Sequence, residues 1–179
     1  EISDYDEIIL FNDSFFGPIY PFKEIFDKME KEDVDFWGIT EHGKAPNQDN
    51  LCPYGYRPVH LQTYFLAFRK NIVKSSEFKS FWIDLPEYRN NAELIFKFES
   101  VLTRHFEDLG YSWKAYVETC DLEESREKAM NLYAYDTYNL VVNRSLPVLK
   151  RKMFKVHREI HLRYNMASDL SNTITYLDL

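Results

Sequence analysis

A chain of 179 residues, 45% of them hydrophobic, is long enough to bury one substantial core and short for two domains of ordinary size. Its 29 acidic residues outweigh 22 basic ones for a formal net charge of -7, which argues against a general nucleic-acid binder with a basic face. No run of about 18 apolar residues and no charged-then-apolar leader occurs, so the sequence predicts neither a membrane-spanning helix nor a signal peptide, and a cytoplasmic site of action follows.

The first element in chain order is Ile8-Ile9-Leu10-Phe11-Asn12-Asp13-Ser14, an apolar run closed by polar residues and by Gly17-Pro18. It reads as a strand buried on both faces, as in a parallel sheet. Asp13 then stands past its carboxyl end, where open α/β sheets bind ligands, although a turn residue or helix cap is the other reading. Pro21 opens a helix to Lys31 with Phe22, Ile25, Phe26 and Met29 on one stripe. Asp35 to Thr40 reads as a second strand ending in Glu41 and His42. Gly43 to Pro58 has no apolar period and reads as a long loop, a flap or a plain excursion, with His42 a flap residue or a surface one. His60 to Phe68 is a third strand with an almost wholly apolar core. A helical pair from Ile72 to Trp82 follows, its Phe78, Phe81 and Trp82 spaced for a core.

A long helix is expected from Asn91 to Leu109, closed by Gly110. Leu94, Ile95, Phe98, Val101, Leu102, His105, Phe106 and Leu109 define its buried stripe, and Glu99 falls at the stripe's edge. On spacing alone Glu99 is either a withdrawn carboxylate fit for proton transfer or a solvated helix glutamate like Glu93 and Glu107. Lys114 to Glu118 reads as an edge strand, Asp121 to Glu124 as a solvated helix start, and Asp136 to Asn143 as another helix. The basic cluster in Pro147 to Phe154, Lys150-Arg151-Lys152, suits a diphosphate, an anionic lipid surface at about 1 kcal/mol per residue, or plain surface solubility. His157 and His161 share a helix face, which serves a metal only with further ligands. Met166 to Leu179 is weakly patterned and reads as a packing helix. The two cysteines, Cys52 and Cys120, lack metal spacing and read as unpaired structural thiols, with a disulfide as the other reading. The 17% aromatic content serves a core and a sugar-stacking surface equally well. Because the first residue is Glu1 and a strand begins soon after, a piece of a longer protein is expected.

Three blocks carry a family resemblance: Leu10-Phe11-Asn12-Asp13-Ser14-Phe15-Phe16-Gly17-Pro18, Asp35-Phe36-Trp37-Gly38-Ile39-Thr40-Glu41-His42, and His60-Leu61-Gln62-Thr63-Tyr64-Phe65. In this order they resemble the rhamnan synthesis F family of bacterial surface-polysaccharide glycosyltransferases, over about Tyr5 to Phe154. The resemblance implies an α/β, partial A-type glycosyltransferase fold, Rossmann-like, with a mixed sheet flanked by helices and a helical C-terminal segment. Residues 1–146 would be the acceptor-side and catalytic part, without a donor-binding N-terminal half, and residues 147–179 a basic helical extension. The activity implied is transfer of L-rhamnose from a nucleoside-diphosphate donor such as dTDP-L-rhamnose to a lipid-linked, growing cell-surface glycan, in the cytoplasm at the inner membrane face.

By the same resemblance, Glu99 in Glu99-Ser100-Val101-Leu102 is the catalytic base. Asp13, with Asn12 and Ser14, meets the donor diphosphate or a divalent Mg or Mn ion; His60, Gln62, Glu41 and His42 border the acceptor. Lys150, Arg151 and Lys152 would contact the diphosphate or the membrane. One departure stands out, since the family's usual Asp-x-Asp appears as Asn12-Asp13-Ser14 and keeps one carboxylate. Two other classes fit the residues: a non-catalytic carbohydrate-binding or assembly module, separated by nucleotide binding, and a metal-dependent hydrolase, which needs Asp13, Glu99 and the histidines to converge.

Overall fold

The computed structural model describes residues 2–47, 50–122, 132 and 136–151. Its strands are β1 (Glu7–Phe11), β2 (Phe15–Phe16), β3 (Phe36–His42), β4 (Ala45–Pro46), β5 (Tyr56–Arg57), β6 (His60–Leu61), β7 (Phe65–Arg69), β8 (Trp113–Val117) and β9 (Leu149–Lys150). Its α-helices are α1 (Phe22–Met29), α2 (Lys70–Val73), α3 (Ser76–Ile83), α4 (Asn91–Leu94) and α5 (Ser100–Asp108). The chain divides into two compact units, Glu1–Phe11 with Glu32–Tyr116, and Asn12–Lys31 with Val117–Leu179.

The first unit is built on β3. Phe36-Trp37-Gly38-Ile39-Thr40 is rich in aromatic and β-branched residues, which favour a strand, and every position of β3 except Glu41 is buried. β3 takes β7, β6 and β8 as partners, and β1 adds to β7. The β1–β7, β3–β7 and β3–β6 ladders are antiparallel. β6 and β7 pair with successive stretches of β3, but the register slips: Gly38 faces Leu66 and Glu41 faces Leu61, so two extra residues lie on the partner side. They are extruded between Leu61 and Phe65. Such an insertion re-aims side chains and is typical of strands beside binding sites. Gly38 permits it, because a Cβ there would lie 3.0 Å from the Phe65 carbonyl oxygen and 3.3 Å from Leu61 Cδ2.

Over this sheet pack Phe36, Leu61, Leu66, Phe68, Ile72, Val73, Phe78, Leu102 and Phe106. The Phe106 ring meets Phe36 at 5.9 Å and Phe68 at 6.1 Å, both edge-on, a geometry worth about 0.5–1.5 kcal/mol per pair beyond area burial. Ser75 caps α3 by accepting from the Phe78 N–H, and Asn90 caps α4 by accepting from Glu93. Between α4 and α5 the helix passes through a π segment, Ile95–Glu99, and it closes at Leu109 before Gly110 at φ +92°. A wider turn adds residues to each repeat and rotates everything N-terminal to it.

In the second unit, β2 pairs antiparallel with β9, Phe15 opposite Lys150 and Phe16 opposite Leu149. The Ile19 N–H donates to the Pro147 carbonyl at 2.8 Å. α1 buries Ile25 and Met29. Tyr20 Oη donates to the Val141 carbonyl at 2.9 Å, within a second π segment, Asn139–Asn143.

Several expectations are corrected. β1 is neither central nor part of a parallel ladder: it ends the hydrogen-bonded path, and alternation turns Ile9 and Phe11 outward, Phe11 to 69% exposure. A short apolar run reports strand content but not whether one edge or two are paired. Glu41 and His42 end β3, as expected, but His42 is buried and not a surface residue, and the 43–58 stretch is not patternless, because β4 and β5 form a ribbon in it. His60 to Phe68 is two strands. The buried stripe of the long helix is Phe96, Ser100, Leu102, Thr103 and Phe106; Leu94 and Ile95 are exposed, which the rotation at the π segment accounts for, and Leu109 is exposed at the helix's C-terminal end. Glu93 is not a freely solvated glutamate, since it accepts from the Arg89 N–H and from Lys97. Cys52 and Cys120 are both free thiols. Among the described residues no helix is long and apolar enough to cross a membrane. Lys152, His157, His161 and the 166–179 stretch lie outside the described residues.

Gly38→Ala should lower stability by roughly 1–3 kcal/mol, because the added methyl meets a backbone carbonyl that the β3–β7 ladder holds. A urea unfolding midpoint equal to that of the parent would show that the strands separate freely at this point.

Candidate functional site

The register slip in the first unit places Gln62, Thr63 and Tyr64 outside the regular ladder, and side chains then secure each of them. The Gln62 N–H donates to the Thr40 carbonyl at 2.9 Å. The buried Thr40 hydroxyl donates to Gln62 Oε1 and lies 2.9 Å from the Tyr64 hydroxyl. Thr63 turns to the long helix: its hydroxyl donates to Glu99 Oε2 at 2.6 Å and its N–H to the same oxygen at 3.3 Å. One helical turn further on, the Thr103 hydroxyl accepts from the Leu61 N–H at 2.9 Å. Glu99 and Thr103 thus dock the helix on the broken strand, and the π segment carries Glu99. Glu99 is half-buried.

His60 lies beside this carboxylate, 1% exposed. Its Nδ1 is 2.8 Å from the Pro58 carbonyl, which can only accept, so the proton sits on Nδ1 and Nε2 carries a lone pair. Nε2 is buried and has no hydrogen-bond partner among the described residues. The His42 ring stacks on His60 at 5.5 Å and 8°, as expected for directly opposed residues of β3 and β6. His42 Nδ1 gives its proton to the Gly43 carbonyl at 3.0 Å, and its Nε2 accepts from Arg57 Nη2 at 2.8 Å. Burial pushes the His60 imidazole below its ordinary 6.5; the Glu99 carboxylate, the Pro58 carbonyl and Glu41 pull the other way, and Arg57 adds to the depression.

Of the residues singled out from the sequence, Glu99, His60, Gln62, Glu41 and His42 therefore share the first unit, with the Glu99 and Glu41 charges both acting on His60. Asn12, Asp13, Ser14, Lys150 and Arg151 share the second. There the Ser14 N–H donates to Asn12 Oδ1 at 3.0 Å, forming a turn that projects Asp13, whose side chain is 93% exposed. Arg151 Nη1 donates to the Asp13 carboxylate and to its carbonyl, each at 2.8 Å, and the Arg151 N–H donates to the Ser14 carbonyl at 2.8 Å. The Arg151 guanidinium also lies 5.8 Å from the centre of the Phe16 ring.

The described donor set does not fit a resident divalent ion held by the protein. No group of three or more His, Cys, Asp or Glu side chains gathers among the described residues. Asp13 offers one carboxylate, and a guanidinium already grips it. Thr63, Thr103 and Arg57 also belong to the site, although no motif in the sequence marks them. Their only signal is position: Thr63 sits inside the His60 to Phe65 block, Arg57 lies three residues before His60, and Thr103 follows Glu99 by four, one helical turn. A cleft of about 500 Å³ lies elsewhere in the first unit, lined among others by Phe81, Tyr88, Lys97, His105 and Leu109, and none of the predicted site residues borders it.

Folded His60 binds a proton less readily than the unfolded chain does, so the contribution it makes to stability is intact above its ordinary 6.5 and is lost as pH falls from there toward the folded value. Burial shifts His105 in the same direction. The urea midpoint should accordingly drop between roughly pH 7.5 and roughly pH 5.5, and His60→Gln should shrink that drop while leaving the part due to His105. A drop of the same size in both proteins would mean that His60 titrates alike folded and unfolded.

No solved structure matches the chain. The uncharacterised protein y4gN of Sinorhizobium fredii is 27% identical over 104 residues, an alignment that covers 58% of this chain and 25% of that protein. The chain thus spans about a quarter of the relative's length. The sequence pattern described as rhamnan synthesis protein F matches residues 1–178, which is nearly every residue present, and the chain belongs to that family.

Proposed function

We propose that the chain is the acceptor-side part of a glycosyltransferase of polysaccharide synthesis, moving L-rhamnose from a nucleoside diphosphate such as dTDP to a lipid-linked, growing surface glycan at the cytoplasmic face of the membrane. Membership of the rhamnan synthesis family supports the polysaccharide role. The observation that carries the assignment of a base is the state of Glu99: half-buried, with Oε2 held by two donors of Thr63 and Oε1 without a hydrogen-bond partner among the described residues. A carboxylate so held and still reachable suits general-base catalysis.

In the proposed step the acceptor hydroxyl gives its proton to Glu99 Oε1 while its oxygen bonds to the sugar's anomeric carbon. The bond from that carbon to the diphosphate breaks, and the electron pair leaves on the phosphate oxygen. Gln62, Glu41 and His42 would border the acceptor, with the buried His60 imidazole behind them. Taken by itself, the second unit offers Lys150 and Arg151 as positive charge suited to an anionic group such as a diphosphate, and Asn12, Asp13 and Ser14 form the turn that Arg151 steadies.

Glu99→Gln keeps the shape and the capacity to accept from Thr63 while removing basicity. It should lower rhamnosyl transfer from dTDP-L-rhamnose to a rhamnose oligosaccharide by about 100-fold or more, with donor binding retained. Glu107→Gln, on the exposed end of the same helix, should leave the rate within about twofold. Full transfer by Glu99→Gln would place the base elsewhere. Absence of transfer and of nucleotide binding in the complete wild-type protein would favour a glycan-binding assembly module instead.

Asp13→Asn should reduce transfer strongly and leave the melting temperature nearly unchanged, because a side chain this exposed contributes little to the core. Wild-type transfer by this variant would remove the Asn12–Ser14 turn from the mechanism.

A further inference from the structure

We infer that Thr63 is a positioning residue for Glu99, a role that rests on reading Glu99 as the base. Two donors of one residue converge on a single carboxylate oxygen, Oγ1 at 2.6 Å and N at 3.3 Å. This fixes the rotation of the carboxylate as well as its location, since one hydrogen bond would leave the group free to swing about it. Oε2 is occupied by the pair, and Oε1 becomes the oxygen presented to an incoming hydroxyl. The contact is short, as hydrogen bonds to a charged acceptor are.

Both ends of the contact are held by independent features. Thr63 sits in the two-residue insertion between β6 and β7, where Gln62 and Tyr64 on either side are tied to the buried Thr40. Glu99 sits at the end of the π segment, and Thr103 anchors the next turn to Leu61. Each irregularity costs regular hydrogen bonds, and insertions of both kinds gather beside functional sites. Here the strand insertion and the helix insertion point at one another across a single bond. A regular strand would aim residue 63 along the ladder, and a regular helix would turn residue 99 to another face; neither alone would bring the hydroxyl to the carboxylate.

The test uses the complete protein with dTDP-L-rhamnose and a rhamnose oligosaccharide. Thr63→Val keeps the branched shape and the N–H but removes the hydroxyl. It should lower kcat by about tenfold or more, with the KM of donor and acceptor within about twofold and the unfolding midpoint little changed. Thr63→Ser restores the hydroxyl and should return kcat to within about threefold of the parent. Thr63→Ala serves if the valine variant does not fold, with the same expected loss. Wild-type kcat in Thr63→Val, while Glu99→Gln is inactive, would overturn the positioning role and leave the base in place. A loss of kcat that follows the loss of stability across all three variants, with no recovery in serine, would reduce Thr63 to a structural tie and overturn the inference too. Transfer that survives Glu99→Gln would instead remove the base itself, whatever Thr63 does.

Discussion

A buried strand must find a partner for every backbone N–H and C=O, and in this protein that requirement reaches from β3 to the helix that carries Glu99. β3 is buried at all but one position and takes three strands as partners. Around the slip of β6 and β7, Gln62 keeps the Thr40 carbonyl of β3 as acceptor, while two N–H groups turn to the helix: Leu61 finds Thr103 and Thr63 finds Glu99. An unpaired buried N–H would cost about 1–3 kcal/mol, so the break and the helix side chains that mend it form one arrangement. Glu99 answers to the fold and to the proposed chemistry at once, since one oxygen serves the strand and the other serves the acceptor.

Much of this could be read from residues in order. Strands β3 and β7, the helix beginning at Asn91, its glycine stop, and the α1 stripe all follow local periodicity and cap chemistry, which depend on near neighbours in sequence. The pairing of Asn12–Ser14 with Lys150 and Arg151 is legible only in part: the family resemblance gives the first stretch a diphosphate or a metal and the second a diphosphate or the membrane, but nothing local says that they adjoin. The two insertions were invisible. A strand with two extra residues still looks like an apolar run, and a π turn alters the period over a window too short to detect. Regular helical spacing therefore places Leu94 and Ile95 on the stripe although they lie outside it, and it gives no reason to bury the polar Ser100 and Thr103. Thr103 is wholly buried because it has the Leu61 N–H as a partner, a fact of tertiary structure.

The histidines show how the same physics separates residues of one type. His42 and His60 face each other across an antiparallel pair, and each spends its Nδ1 proton on a carbonyl close by in sequence. Their Nε2 atoms then diverge in fate, one accepting from Arg57 and the other buried without a hydrogen-bond partner among the described residues. Arg57 reaches His42 from the β4–β5 ribbon and also lies 5.9 Å from the Phe96 ring centre. The ribbon therefore supplies the donor that His42 Nε2 accepts from.

The second unit is made of two stretches far apart in the chain: Arg151 reaches back to Asp13 over 138 positions. A ribosome adding about 5–20 residues per second would leave the 12–31 stretch waiting for on the order of ten seconds before β9 emerges. During that interval Phe15, Phe16, Ile25 and Met29 lack their second-unit neighbours, while the residues of the first unit are already complete at Tyr116. The order of synthesis thus favours closing the β3 sheet before the β2–β9 ribbon, and a nascent chain stalled between these points would present an apolar segment for a chaperone to hold.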